Sequence, residues 1–238
     1  MEFYQLVFIV ILFSSIQSII GIGLLLFGTP TLLLAGYSYP ETLWILLPAS
    51  CSLSLMQIFE GRALIESRRD VYIFTLPALF ISLILVMQFD FVFDIKKIVG
   101  IFLLAIVLIR FLNFSTSYTR MILKSYKKLS FIFIGLVHGF SNLGGGPLSI
   151  VMSGTFQDKK KINANIAFTY FLLASSQLTI LTIYQANIFS FTYLFFVPIA
   201  LFMNIVLNKI SRFNISNDVF KVFLNVIIFL FGFLCLIG

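Results

Sequence analysis

A glycine-rich break inside an apolar stretch constrains the fold of this chain more than any other feature. Three consecutive glycines, Gly144 to Gly146, each cost roughly 1 kcal/mol relative to alanine within a helix. Pro147 follows them and has the fixed φ that is favoured in the first turn of a new helix. The pattern predicts a helix that ends near Ser141, an unwound turn, and a short helix from about Gly146 to Gly154.

The composition places this break within a membrane protein. Hydrophobic residues make up 60% of the 238-residue chain and charged residues only 11%, whereas a soluble domain has about 25% charge. Several apolar runs approach the roughly 20 residues that cross a bilayer. We therefore predict an all-α polytopic membrane protein. Unwound backbone at membrane depth persists only where it is buried in protein or lines a cavity, so the break is a candidate binding site.

The first half of the chain has a similar but weaker break, in which Gly28-Thr29-Pro30 is expected to restart a short helix that ends at Gly36. Each half is then predicted to contain one broken helical hairpin followed by three helices. The first repeat (1–112) has its hairpin at 3–36 and helices at 41–60, 71–88 and 95–111. After a basic connector (113–128), the second repeat (129–238) has its hairpin at 129–154 and helices at 161–184, 191–207 and 219–237.

Loop charges predict the orientation of these segments, because basic loops stay in the cytoplasm. Basic residues are in excess in the loops at 61–70, 113–128, 157–161 and 208–217. The loops at 37–41 and 185–190 have none and are predicted to be external, with the N- and C-termini on the same external side. Both hairpins are then re-entrant, and each half crosses the membrane three times. Two halves with an odd number of crossings form an inverted-topology repeat, a plan typical of secondary transporters. If residues 3–26 crossed completely, the N-terminus would instead be cytoplasmic.

The two short helices are expected to enter from opposite faces and to meet near the midplane. A helix of nine residues rises about 13 Å, and its N-terminus carries roughly +0.5 elementary charge and unpaired N–H groups. Glycines leave such backbone open to close approach, which favours a small-anion site without a fixed cation. The alternative is that the glycines only permit tight helix packing. The candidate anion contacts in the two breaks are Gly23, Gly28, Thr29, Ser141, Asn142, Gly144, Gly145 and Gly146.

Polar residues on other predicted helices could extend this site. Gln57 and Gln177 are costly to bury and are predicted to line a polar path. Ser50 and Ser54 share a helical face with Gln57, although serines also form hydrogen bonds between membrane helices. His138, the sole histidine, is either a proton carrier or substrate contact, or a satisfied packing residue.

Enzymatic readings find little support in the sequence. The chain has no His-Glu-x-x-His motif and no pair of intramembrane aspartates, and Gly139-Phe140-Ser141 lacks the glycine that would complete a nucleophile elbow. Two separated cysteines, Cys51 and Cys235, indicate neither a disulfide framework nor a metal site. We therefore predict no catalytic residue, no metal and no cofactor. The net charge of +7 lies in short loops, where it sets topology and does not indicate nucleic-acid binding.

The run from Gly139 to Pro147, with the weaker run from Gly21 to Pro40, resembles the sulfite exporter TauE/SafE family. The resemblance covers essentially the whole chain through its length, span pattern and duplication. It implies transport of a small anion, such as sulfite or an organosulfonate, across the bacterial inner membrane. Partners would then be that anion and membrane lipid, with a homo-oligomer left open. Two alternatives stay open: a channel-like anion facilitator, and a non-transporting assembly or sensor subunit.

Overall fold

The computed structural model describes residues 2–89, 94–111, 125–210 and 217–238, without the side chains of residues 20, 110–111, 208–210 and 217–224. These residues form helices and no strand. The first half contains α1 (Phe3–Ile20), α2 (Leu24–Leu34), α3 (Tyr39–Gly61), α4 (Arg68–Gln88, with a π-helical turn at Val71–Thr75) and α5 (Ile95–Phe111). The second contains α6 (Lys127–Ser141), α7 (Gly145–Thr155), α8 (Lys159–Tyr184), α9 (Phe196–Ile210) and α10 (Asn217–Ile237).

Three of these helices are long and apolar enough to cross a membrane: Tyr39–Leu64, Arg68–Gln88 and Lys159–Tyr184. Shorter apolar helices accompany them in the described residues, including both helices of the first predicted hairpin. Large apolar side chains are exposed along most helices, as a lipid-facing surface requires. Examples are Phe8, Ile81, Leu108, Phe202 and Leu234.

The helices of the two halves interleave. The long helices α3 and α8 pack along each other, and α5 packs along α10. The first helix of each hairpin packs against a helix of the opposite half: α1 against α9, and α6 against α4. Neither half therefore has a separate core, and one continuous apolar cluster extends through both.

The first break lies earlier in the chain than the sequence indicated. The helix α2 begins at Leu24, so Gly28, Thr29 and Pro30 lie inside it and do not start it. The reason is that Gly21 ends α1 in the left-handed conformation and a side chain of α1 caps the N–H of Leu24. A capping box of Ser38 with Glu41 likewise starts α3 at Tyr39, two residues before its predicted start.

The second hairpin follows the prediction closely. Its first helix starts at Lys127, and its short helix runs from Gly145 to Thr155. Lys127 and Lys128, assigned from the sequence to the connector, belong to this helix: Lys127 Nζ lies 2.7 Å from Asp70 Oδ2, and Lys128 Nζ lies 5.9 Å from the centre of the Phe74 ring. Residues 113–124 of the predicted connector lie outside the described residues, as do residues 90–93 and 211–216 of two predicted loops.

Candidate functional site

Both hairpins break in the same way, at a residue with positive φ that ends the first helix. Gly21 has φ 84° and donates its N–H to Gln17 O at 2.8 Å. Asn142 has φ 61° and donates its N–H to His138 O at 2.7 Å. Asparagine tolerates this conformation better than most residues with a side chain. The positive φ of the second break is therefore at Asn142 and not at a glycine, and Gly144 has φ −54°.

Polar side chains bridge each break and tie the two helices of a hairpin together. In the first hairpin, Gln17 Oε1 accepts the N–H of Leu24 at 3.2 Å. In the second, His138 Nδ1 accepts the N–H of Gly144 at the same distance. His138 thus holds a defined structural contact across the break.

The two predicted glutamines occupy matching positions beside these bridges. Gln57 Nε2 donates to Gln17 O, and Gln177 Nε2 donates to His138 O, both at 3.5 Å. Gln17 was missed by the sequence reasoning. The separation between Gln17 and His138 along the chain equals that between Gly21 and Asn142. An alignment of the two halves at Gly21 and Asn142 would therefore have paired Gln17 with His138.

Backbone donors at the second break are mostly occupied. From Asn142 to Leu148, every N–H has an acceptor in the structure except that of Gly145, and Pro147 has no N–H. The sequence predicted an open set of N–H groups here, but His138 Nδ1 and Leu143 O already accept those of Gly144 and Gly146.

Two buried side-chain donors without an acceptor stand next to the free N–H of Gly145. The Tyr170 hydroxyl of α8 has no hydrogen-bond partner, and it lies so close to Gly145 that a Cβ there would overlap it. His138 Nε2 also has no partner, and the imidazole meets the Tyr170 ring edge-on with centroids 6.1 Å apart. Because Nδ1 accepts a hydrogen bond, a neutral His138 carries its proton on Nε2. Tyr170 is a second residue that the sequence reasoning missed, although it shares the helix of Gln177 at a two-turn spacing.

The same break also holds buried acceptors without donors. Gln177 Oε1 and Asn142 Oδ1 have no hydrogen-bond partner. Asn142 Nδ2 donates to Thr29 Oγ1 at 3.0 Å, which joins the second break to α2 of the first hairpin. The structure thus brings His138, Asn142, Gly145 and Gln177 together, with Thr29 at their edge.

The first break has more free backbone donors than the second. The N–H groups of Ile22, Gly23, Leu25 and Leu26 have no acceptor among the described residues. Ser50 Oγ and Gln57 Oε1 are buried without partners on the neighbouring α3. The first break thus has the weaker sequence motif but the larger set of N–H groups without an acceptor. The reason is that a side chain caps only the N–H of Leu24 in this break.

Four other predicted site residues have packing contacts. Ser141 Oγ donates to Val137 O at 2.6 Å within its own helix. A Cβ on Gly28 would meet Leu46, and one on Gly146 would meet Ile106. A Cβ on Gly23 would lie 2.7 Å from Gln17 N and 2.9 Å from Phe13 O, so Gly23 lets α2 approach the backbone of α1. Bulk at Gly23 should therefore impair folding more than bulk at Gly145, because backbone cannot move aside as the Tyr170 side chain can.

Cavities lie at both ends of the bundle. One of about 510 Å³ is at the end predicted to be external, between the start of α3 with Tyr39 and the start of α5 with Lys96 and Lys97. At its rim Lys97 ion-pairs with Asp94 at 3.0 Å, and the hydrogen bonds from Lys97 hold the pKa of the Asp94 carboxyl below its usual value. Tyr39 extends from this cavity to the second break, where its hydroxyl donates to Gly139 O at 3.2 Å. The opposite end has a smaller cavity of about 120 Å³.

A family model described as Sulfite exporter TauE/SafE matches residues 6–234. The chain belongs to the TauE/SafE family. Membership in TauE/SafE places the chain among membrane transporters and not among enzymes. Neither a curated protein nor a solved structure gave a match to this TauE/SafE chain.

Proposed function

We propose that this TauE/SafE chain is a secondary transporter that moves a small oxyanion, sulfite or a close analogue, across the bacterial inner membrane. One observation carries the proposal: three buried donors without acceptors, Gly145 N–H, Tyr170 O–H and His138 Nε2–H, lie around the N-terminus of α7. A buried donor left unpaired costs about 1–3 kcal/mol. A bound oxyanion would accept from all three at once, and the positive end of the α7 dipole adds to this attraction.

The free N–H groups of Ile22, Gly23, Leu25 and Leu26 extend the proposed site to the first break. The site has no fixed cation among the described residues that form it, so donors and two helix N-termini would provide the positive potential. Such interactions are stronger in a low-dielectric interior than in water. The proposed site therefore favours anions over cations of equal size.

The matching contacts support an inverted-repeat plan for this transporter. Gln17 and His138, Gln57 and Gln177, and the caps Gly21 and Asn142 make equivalent hydrogen bonds in the two halves. Each hairpin also packs on the opposite half in an equivalent way: α1 packs on α9, and α6 packs on α4. In such proteins, access alternates when one repeat unit rocks against the other around a fixed site.

Ion pairs at one end indicate which face is closed in this proposal. Glu66 pairs with Lys161, and Asp70 pairs with Lys127, so the loop before α4 is held to α8 and the first turn of α4 is held to α6. Asn165 Oδ1 also accepts the N–H groups of Glu66 and Ser67, at 2.9 and 2.8 Å. The larger cavity lies at the other end. We interpret this arrangement as closed to the cytoplasm and partly open to the outside.

Flux measurements on purified protein in proteoliposomes test the proposed function. We expect sulfite uptake that saturates with concentration and responds to an imposed proton or sodium gradient. A channel-like facilitator would show no saturation and no gradient coupling. For a sensor or assembly subunit, vesicles with and without protein would have equal sulfite flux, which would reject transport.

Cysteine labelling tests the proposed topology. In a background with Cys51 and Cys235 replaced by alanine, Asn187→Cys should react only with an impermeant reagent added outside the cell. Gln157→Cys should react only after the cytoplasmic face is opened, because residues 157–161 are predicted to be cytoplasmic. Both positions are exposed in the structure, so differences in burial would not explain the result. Labelling of both from the same side would exclude the inverted repeat.

A further inference from the structure

Two arginines at the end of the bundle predicted to be cytoplasmic have no acidic partner. Arg62 lies in the turn after α3, and Arg68 begins α4. Arg68 Nη2 donates to Arg62 O at 3.4 Å, which brings the two residues together across the loop. Both are exposed, and neither forms an ion pair with a carboxylate of the described residues. This arginine pair therefore presents positive charge that no described residue neutralises.

The acidic residues of the same loop, 61–70, are already occupied. Glu66 Oε1 lies 2.5 Å from Lys161 Nζ of α8, and Asp70 Oδ2 lies 2.7 Å from Lys127 Nζ of α6. Each carboxylate thus has a lysine as its counterion. A ligand that neutralises the arginine pair must therefore come from outside the loop and must carry negative charge.

An aromatic contact holds the Arg68 side chain in place. Its guanidinium carbon lies 6.0 Å from the centre of the Phe168 ring of α8, a position in which a cation is attracted to the ring. The Phe168 ring in turn meets the Tyr72 ring edge-on, with centroids 6.1 Å apart. A guanidinium has more N–H donors than the one that Arg62 O accepts, so others stay free for a ligand.

An exposed apolar face of α4 continues from the arginine pair toward the membrane. Tyr72 follows Arg68 by one helical turn, and both contact Phe168. Beyond Tyr72, the side chains of Ile73, Phe80 and Ile81 are exposed, and Ile73 and Phe80 are two turns apart. Because α4 is long and apolar enough to span a membrane, this face suits the acyl chains of a lipid.

We propose that the arginine pair binds the phosphate of an anionic phospholipid in the cytoplasmic leaflet, with an acyl chain along the exposed face of α4. The charges are complementary, since guanidinium groups bind phosphate oxygens strongly and basic residues at this surface attract anionic lipids. A zwitterionic lipid has the same phosphate but also an ammonium group, which the arginines repel. The proposal does not depend on which substrate the chain transports.

Native mass spectrometry of the purified protein with added lipid tests this site. Phosphatidylglycerol should bind about fivefold or more tightly than phosphatidylcholine with identical acyl chains, because one charge at such a surface changes affinity by about that factor. Glycerol phosphate has the phosphate without acyl chains. It should bind at least about tenfold more weakly than phosphatidylglycerol, because the apolar face of α4 contributes only to the binding of a lipid.

Variants identify the residues responsible. Arg68→Gln and Arg62→Gln should each weaken phosphatidylglycerol binding about fivefold. Arg68→Lys keeps the charge but loses the planar guanidinium, so it should give a smaller loss. Arg69→Gln is the matched control, because it removes the same charge from the next residue, which is also exposed. It should bind phosphatidylglycerol within about twofold of the parent. Unfolding temperatures in detergent without lipid verify that each variant is folded.

Three results would overturn the inference. Equal affinities for phosphatidylglycerol and phosphatidylcholine would show that the site does not select negative charge. Equal losses in Arg68→Gln and Arg69→Gln would indicate diffuse attraction to a basic loop and no defined site. Binding of glycerol phosphate as tight as that of phosphatidylglycerol would indicate a site for a soluble anion. None of these results would affect the proposed transport of sulfite, because the arginine pair lies outside both breaks.

Discussion

Replacing Tyr170 with phenylalanine should weaken sulfite binding roughly tenfold to a hundredfold without destabilising the protein. The variant removes one hydroxyl that has no partner in the structure. A hydrogen bond to a charged ligand contributes about 1.5–3 kcal/mol, which sets the expected loss of affinity. In the ligand-free protein the same hydroxyl is buried and unpaired, so its removal relieves a desolvation cost. The unfolding temperature without ligand should therefore stay the same or rise.

Tyr39→Phe is the matched control for this experiment. Tyr39 is also buried, but its hydroxyl donates to Gly139 O at 3.2 Å. Its loss leaves a buried carbonyl without that donor, so the unfolding temperature should fall. Thermal unfolding with and without sulfite measures both effects, because a ligand that binds only the folded protein stabilises it by about 2.7 kcal/mol at a hundred times its dissociation constant.

The opposite pattern would contradict the assignment of Tyr170. If Tyr170→Phe lowered the unfolding temperature and left sulfite affinity unchanged, its hydroxyl would have a structural partner and no ligand role. If both the unfolding temperature and the sulfite affinity fell, the hydroxyl would belong to a hydrogen-bond network that stabilises the folded protein. Only a loss of sulfite affinity at an unchanged or higher unfolding temperature fits a hydroxyl that is unpaired in the ligand-free protein and donates to a bound anion.

The parts of this fold that local chemistry determines could be predicted from the sequence. Apolar runs and turn residues gave the helices of the second half to within a few residues, and the glycines with Pro147 located its break. The register of the first break was wrong because proline was taken as the start of α2. Pro30 instead lies well inside that helix, where its missing N–H costs one backbone hydrogen bond.

The residues that complete the candidate site could not be read from local pattern. Gln17 lies among serines near the end of α1, shortly before the break. By sequence alone it resembles an ordinary polar residue of a membrane helix. Its contact with Gln57 on α3 depends on how the helices pack. Tyr170 gives no signal at all until α8 is placed against Gly145. Donors without acceptors can be identified only in the folded core. Whether any other part of the chain supplies an acceptor depends on how the helices pack.

A methyl group at Gly145 should abolish sulfite binding. Its Cβ would overlap the Tyr170 hydroxyl and lie 2.7 Å from Tyr170 Cζ. Gly145→Ala would therefore displace one proposed donor and cover the N–H beside it. Overpacking of this kind typically costs about 1–3 kcal/mol of stability, so the protein should still fold. Equilibrium binding of sulfite to purified, monodisperse protein measures the loss.

Neighbouring glycines distinguish a blocked site from a strained helix. Gly28→Ala places its Cβ 3.0 Å from the ends of the Leu46 side chain, and Gly146→Ala places its own against the end of Ile106. Both side chains are flexible and neither is a proposed donor, so these variants should lose some stability but bind sulfite within about threefold of the parent, a change near 0.6 kcal/mol. Parallel losses of binding in all three variants would show that any bulk in the hairpins impairs folding. Unchanged binding in Gly145→Ala would remove the α7 N-terminus from the site, because no anion could reach the N–H of residue 145 past that methyl group and the Tyr170 ring.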